Sequence, residues 1–205
     1  MNLLILYTFL IPTIITSILA FKNPELFDKL KFNPAHIQNS REWYRFFSYG
    51  FIHADFFHLI INMYVLYSFG EIVLYDFQSI FGTQANLYFT LLYIPALAIS
   101  VIPSYLKNKE NVFYNAVGAS GAVSAIVYTA IILNPTLTMG LIFIPIPLPA
   151  WIFGLLYIIY TIVMSKREDT RIGHSAHLWG SVYGMLFILI LEPEIYVWFI
   201  SQILG

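Results

Sequence analysis

The residues of this chain that could do chemistry are histidine, asparagine and serine side chains set in strongly apolar sequence. His58 and Asn62 are four residues apart, so they share one helix face, and His53 precedes them by about one turn. Imidazole and amide groups are costly in an apolar environment unless they find polar partners. These residues therefore predict either hydrogen bonds between helices or a polar site.

Ser120 stands in a run of small residues, Gly118-Ala119-Ser120-Gly121-Ala122. Such a run permits close packing of helices, and packing alone would explain it. A serine hydroxyl is a weak nucleophile that becomes reactive beside a general base. The run is therefore open to a packing role and to a catalytic one.

His177 favours the catalytic role. It falls with Gly180 and Gly184 at positions i, i+3 and i+7, which places an imidazole at the outer end of a stripe that permits close backbone approach. A short serine side chain reaches an imidazole on another helix only when the axes lie near the lower end of the usual range of about 8–10 Å. Neutral histidine is a suitable general base at neutral pH. Ser120 and His177 are therefore predicted to form a nucleophile and its base.

Attack on a carbonyl carbon also requires hydrogen-bond donors for the oxyanion that develops. His58, Asn62 and the backbone amide of Ser120 at the start of a helix are groups of suitable type. All the parts of an acyl-transfer site are thus present in the sequence.

The elements that must position these residues are membrane-spanning helices. Of 205 residues, 59% are hydrophobic and only 10% are charged, which is far more apolar side chain than one soluble core buries. A span takes about 20 residues, so the chain has room for about six spans and no soluble domain. The net charge of -1 provides no basic surface for nucleic acid, and the absence of cysteine excludes disulfides, thiolate metal sites and a cysteine nucleophile.

Six spans are predicted within one membrane domain that covers residues 1–205. The spans comprise residues 2–21, 51–75, 87–106, 116–133, a fifth that ends near 165, and 174–191. Residues 22–50 are predicted to form a long interfacial loop with amphipathic helix, and four prolines mark a turn before span five. Spans two, four and six then run parallel, so that Ser120 and His177 both lie about one turn below the same face.

At these residues the sequence resembles the rhomboid family of intramembrane serine proteases. The motifs stand in the family's order: Trp43-Tyr44-Arg45, then His53 to Asn62 as H-x4-H-x3-N, then Gly118-Ala119-Ser120-Gly121, then Ala176-His177-x-x-Gly180-x3-Gly184. The resemblance extends over nearly the whole six-span core. It implies an all-α membrane protein, a six-transmembrane-helix rhomboid-like bundle with a long interfacial first loop.

The resemblance also implies the activity and its site. Ser120 is the implied nucleophile and His177 the implied base, and no metal or cofactor is implied. The implied substrate is a transmembrane segment of another protein, admitted sideways near span five and cut near the surface of the lipid bilayer. The supporting residues are an oxyanion site of His58, Asn62 and backbone amides near Gly118 and Ser120, and a cavity lined by His53 and His174.

Two positions depart from the family pattern. Ser124 stands four residues after the implied nucleophile, where some members have an aromatic ring stacked on the base. Some other group must therefore hold the ring of His177. Trp179 stands where the family usually has a small residue, so the local packing of span six is expected to differ.

The expected location is the cell (inner) membrane, as an integral multi-pass protein, and its orientation there is open to two predictions. All ten lysine and arginine residues lie in the loops after spans one, three and five. The positive-inside rule therefore predicts that the site-bearing face is cytoplasmic. The six-span form of the family implies the opposite arrangement, which we prefer.

Two other classes of function fit parts of the pattern. His174-x-x-His177 facing His53 and His58 suggests a metal or haem site, or a proton-coupled carrier. A non-catalytic relative that binds membrane clients is the third class, although such relatives typically lack the serine or the histidine. The sequence leaves the natural substrate and the oligomeric state open.

Overall fold

The computed structural model describes residues 3–141, 144–166 and 173–205. Its helices are α1 (Leu4–Lys22), α2 (Pro24–Leu30), α3 (Pro34–Ser40), α4 (Arg45–Ser48), α5 (Phe56–Phe81), α6 (Ala85–Asn108), α7 (Ser120–Leu133), α8 (Ala150–Ser165), α9 (His174–Leu191) and α10 (Ile195–Leu204). Short 3-10 turns at Tyr49–Phe51 and Gly82–Gln84 precede α5 and α6. The predicted helical class is confirmed, and six of these helices, α1 and α5 to α9, correspond to the predicted spans.

Span four starts later than predicted, at Ser120 instead of near residue 116. The reason lies in the backbone before it. Ala116 exchanges two hydrogen bonds with Phe32, at 2.9 and 3.0 Å, and so belongs to an antiparallel bridge. Gly118 then adopts a φ of 106°, which a right-handed helix cannot contain. Ser120 is therefore the first residue of α7.

The long first loop is built from short capped helices. Asn23 and Asn33 each accept a hydrogen bond from a backbone N–H three residues later, at 3.0 and 2.9 Å, and each is followed by a proline at the first helical position. The side chain of Asn33 also donates to the carbonyl oxygen of Val112 and to the side chain of Asn115. The loop is thereby joined to the segment that leads into α7.

Arg45 holds the same loop together from inside. Only 4% of its surface is exposed. Its guanidinium donates to the carbonyl oxygens of Asp28 and Lys31, at 2.7 and 2.8 Å, and to the carboxylate of Glu42. A buried cation with these partners satisfies its donors within the loop, so the loop folds back on itself at the end of the bundle.

Helix α7 is the centre of the bundle. All of its residues except Ser120 and Val127 are buried, against α5, α6 and α9. Its fourteen residues rise only about 21 Å, less than the roughly 30 Å of a hydrocarbon layer. Glycine allows α9 to approach very closely, since a Cβ at Gly184 would lie 2.2 Å from the carbonyl oxygen of Ala125.

The connection between α7 and α8 contains two strands that were not predicted. Strands β1 (Thr138–Leu141) and β2 (Ile144–Pro149) pair antiparallel, with Thr138 opposite Pro149 and Met139 opposite Leu148. The prolines of this segment suggested a turn, because proline cannot donate to a strand ladder. A sheet of two strands has only edges, where proline is tolerated.

The outer surface of the bundle is apolar. In the described part of the chain, three helical segments are long and apolar enough to cross a membrane: Leu4–Lys22, Phe56–Asn108, which contains α5 and α6, and His174–Leu191. Helices α7, α8 and α10 are apolar but shorter. Large aliphatic side chains such as Ile11, Ile15 and Leu19 are more than half exposed. A belt of this kind is unfavourable in water and suited to lipid.

Candidate active site

Ser120 lies at the N-terminus of the central helix and is partly buried. The chain turns into α7 at Gly118, whose positive φ is rarely adopted by residues with a side chain. The N–H of Gly118 donates to the carbonyl oxygen of Tyr49 at 2.9 Å. The N–H groups of the first turn of a helix have no acceptor within it, and the helix dipole favours negative charge there. Ser120 thus stands where an oxyanion would be stabilised.

A contact between glycines brings the turns that carry Ser120 and His177 together. A Cβ at Gly180 would lie 1.9 Å from the carbonyl oxygen of Gly121, so the two backbones touch. Gly121 follows Ser120 directly, and Gly180 lies three residues after His177 on the same face of α9. The predicted stripe of small residues is therefore confirmed as the contact between α7 and α9.

The imidazole of His177 is held by Tyr157, a residue of α8 that the sequence did not single out. The Tyr157 Oη lies 3.0 Å from His177 Nδ1. The two rings are close to parallel, with an interplanar angle of 23° and centroids 6.4 Å apart. Because Nδ1 is engaged, Nε2 is the nitrogen left for a reaction partner. The only sequence signal was the spacing of three aromatic residues on α8, Phe153, Tyr157 and Tyr160.

His58 lies against the turn that precedes Ser120. A Cβ at Gly118 would lie 2.7 Å from His58 Cε1 and 3.0 Å from its Nε2, so the ring occupies the space that a side chain at position 118 would need. Asn62 is buried, and its Nδ2 donates to the carbonyl oxygen of His58 at 2.9 Å. The structure therefore brings His58 to the site, whereas the amide of Asn62 is directed along its own helix.

His53 and His174, predicted to line a cavity, are both buried. The Nδ1 of His53 shares a hydrogen bond of 3.0 Å with the hydroxyl of Ser17, and its ring meets that of His58 edge to face. The ring of His174 packs edge to face against Tyr160, with centroids 5.4 Å apart. His53 Nε2 and His174 Nδ1 are buried nitrogens without a hydrogen-bond partner among the described residues. Such atoms are normally satisfied by water or by a ligand.

Among the described residues, two pairs of histidine rings lie close together. The ring centroids of His53 and His58 are 5.0 Å apart, and those of His174 and His177 are 6.1 Å apart. No group of three or more His, Cys, Asp or Glu side chains suited to a metal ion occurs within residues 3–141, 144–166 and 173–205.

Trp179 does not disturb the contact between α7 and α9. Its side chain is 43% exposed, whereas the neighbouring Gly180 is buried. The large ring therefore lies on the outer surface of α9.

The apolar spans around a buried central helix, with serine and histidine side chains between them, define a polytopic membrane protein with a polar site inside the bundle. A sequence profile of the Rhomboid domain matches residues 40–194. The chain belongs to the rhomboid family.

Curated relatives support the same family. RHOMBOID-like protein 12, mitochondrial, of Arabidopsis thaliana is 31% identical over 147 residues, which are 67% of this chain and 43% of the relative. Presenilin-associated rhomboid-like protein, mitochondrial, of Bos taurus is 28% identical over 67% of this chain and 35% of the relative. Rhomboid protein 1, mitochondrial, of Saccharomyces cerevisiae is 27% identical over 75% of this chain and 40% of the relative. This chain thus spans less than half the length of these relatives.

Proposed function

We propose that this rhomboid-family protein is an intramembrane serine endopeptidase that cleaves transmembrane segments of other membrane proteins. The observation that carries the proposal is the backbone contact between Gly121 and Gly180, at 1.9 Å for a Cβ built on Gly180. A bundle needs no serine or histidine at such a contact for packing alone. Here Ser120 directly precedes Gly121, and His177 lies about one turn before Gly180.

In the proposed mechanism His177 Nε2 accepts the proton of the Ser120 hydroxyl while the Ser120 Oγ attacks the carbonyl carbon of the scissile peptide. The tetrahedral intermediate collapses as His177 gives that proton to the leaving amine, and an acyl-enzyme ester on Ser120 remains. A water molecule, deprotonated by the same nitrogen, then attacks the ester. The products are the second peptide fragment as a carboxylic acid and free Ser120.

The oxyanion of the intermediate would form at the N-terminus of α7. The Ser120 N–H and the His58 imidazole are its proposed hydrogen-bond donors. Asn62 contributes when its amide exchanges its bond to the His58 carbonyl oxygen for one to the substrate. Gly118 contributes in two ways. Its positive φ allows the turn into α7, and its lack of a side chain leaves space for the ring of His58.

Water and substrate reach the site by different routes in this proposal. The buried, unpartnered nitrogens of His53 and His174 support a polar path for the hydrolytic water. Helix α8 buries only Ala150, Gly154 and Thr161 of its described residues. Because so few residues of α8 are buried, we propose that a transmembrane substrate enters from the lipid beside this helix.

A serine-reactive probe tests the nucleophile without knowledge of the natural substrate. The folded protein in detergent would be treated with a fluorophosphonate, and we expect labelling of wild type but not of Ser120→Ala or His177→Ala. Ser201→Ala and His36→Ala, at exposed positions on α10 and α3, serve as matched controls and should label fully. Labelling that persists in Ser120→Ala would refute the assignment.

Cleavage of a membrane-anchored reporter tests the reaction itself. Reconstituted wild type should release two fragments that mass spectrometry identifies, and Ser120→Ala should release none.

We also propose residence in the cell (inner) membrane, and fractionation of cells that produce the protein tests it. Recovery of the protein in another membrane would overturn that part alone.

A further inference from the structure

We propose that Tyr157 is a positioning residue for His177, the proposed base. The packing of α8 against its neighbours then determines whether His177 can accept a proton from Ser120. This inference rests on the proposed peptidase function. Tyr157 is not expected to touch the scissile bond. Its role is to select the orientation and the protonated nitrogen of the imidazole.

The geometry selects one tautomer of His177. A base that acts through Nε2 must carry its proton on Nδ1 in the neutral state. The Tyr157 oxygen, 3.0 Å from Nδ1, can accept that hydrogen, and this bond restricts rotation of the imidazole ring. A partner at Nδ1 is the usual means by which proteins decide which ring nitrogen is free.

The face of α7 beside the site leaves room for this arrangement. Ser120, Ser124 and Tyr128 are spaced four apart and therefore share a helix face. The ring of Tyr157 packs against that of Tyr128, with centroids 6.5 Å apart. Ser124 lies between Ser120 and Tyr128 on this face. Because its side chain is small, Tyr157 can extend from α8 toward His177. Tyr157 thus supplies from a neighbouring helix the aromatic partner that position 124 lacks.

Several contacts fix Tyr157 to the seated position of α8. The Tyr128 hydroxyl donates to the carbonyl oxygen of Gly154 at 2.6 Å. A Cβ at Gly154 would lie 3.1 Å from Ile131 Cδ1, so α8 packs closely on α7 at that point. Phe153 stacks on Tyr157 with an interplanar angle of 7°. A displacement of α8 would therefore withdraw the hydroxyl from His177 and release the imidazole.

The test removes only the hydroxyl, in Tyr157→Phe, and compares it with Tyr160→Phe. Tyr160 lies one turn further along α8 and contacts His174, not the base, so it receives the same chemical change without the bond to Nδ1. We expect Tyr157→Phe to reduce probe labelling and kcat roughly tenfold, the effect of about one hydrogen bond, with KM unchanged. Tyr160→Phe should stay close to wild type.

A spectroscopic readout separates this inference from the proposed function. In protein labelled with ¹⁵N-histidine, the signals lost in His177→Ala identify the imidazole, and their shifts report which nitrogen is protonated. We expect Nδ1–H in wild type and in Tyr160→Phe, and a gain of the Nε2–H form in Tyr157→Phe. An unchanged tautomer and an unchanged labelling rate in folded Tyr157→Phe would overturn the inference. If wild type neither labels nor cleaves, the peptidase proposal fails, and the tautomer comparison still decides the role of Tyr157.

Discussion

Gly180→Ala is the substitution whose consequences follow most directly from the structure. A Cβ at this position would lie 1.9 Å from the backbone carbonyl oxygen of Gly121, although real Cβ atoms essentially never approach within 3.0 Å. The atom it meets belongs to the backbone of a buried helix, so no side-chain rotation relieves the clash. α7 and α9 must therefore separate by about 1 Å or tilt.

The free energy of unfolding and the activity should both fall. In an isolated helix the change from glycine to alanine stabilises by about 1 kcal/mol, so a decrease must come from the contact. Overpacking of a close interface typically costs about 1–3 kcal/mol, which outweighs that gain. A misplacement of about 1 Å between reacting groups can cost on the order of 100-fold in rate. We expect activity to fall by that factor at temperatures where the variant remains folded.

The assay combines thermal unfolding in detergent with the rate of fluorophosphonate labelling. Gly140→Ala is the matched control, because no atom lies within 4 Å of a Cβ built there. A folded Gly180→Ala protein that is more stable than wild type and labels at the wild-type rate would refute the close approach of the two helices. It would also remove the observation on which the proposed function rests.

Three further substitutions test other parts of the fold. Gly118→Ala places a side chain at a φ of 106° with its Cβ 2.7 Å from an imidazole atom, so probe labelling should be lost and stability should fall by about 1–3 kcal/mol; an unchanged Tm would contradict the turn. Ser17→Ala leaves the Nδ1 of buried His53 without its partner, so the free energy of unfolding should fall by about 1–3 kcal/mol in denaturant titrations. An unchanged free energy would show that water replaces the serine hydroxyl at His53. Arg45 lowers the pKa of Glu42 through a hydrogen bond, so this contribution to stability is present above about pH 4.5 and is lost as the pH falls through the lowered pKa. Glu42→Gln should reduce the fall in Tm that wild type shows as the pH is lowered below about 4.5. An unaltered pH dependence of Tm would show that the pair of Arg45 and Glu42 contributes nothing to stability.

Local patterning accounts for what was predictable about the fold. The bounds of α9 coincide with the predicted span 174–191, because a long apolar run follows a polar loop and closes at Glu192. The start of α7 was predicted four residues too early, because the backbone bridge to Phe32 is made by a segment more than eighty residues away. The strands before α8 were missed because β2 is rich in proline, and nothing local to the sequence indicates that such a segment pairs with β1.

The sequence by itself determined the class of the protein and the side chains of the candidate site. Apolar runs of membrane-spanning length, the small-residue run around Ser120 and the spacing of His177 with its two glycines are all properties of neighbouring residues. They can be read without knowledge of how helices rotate, since helical periodicity alone places side chains on a face.

Only the tertiary structure decided how those side chains meet. Tyr157 and His177 lie on different helices, and the bond between them depends on the rotation and seating of α8 against α9. The bond of the Asn62 amide to its own helix, and of the Gly118 N–H to Tyr49, likewise follows from which acceptors packing leaves within reach. Hydrogen bonds require positions within a few tenths of an ångström, and the packing of whole helices sets those positions.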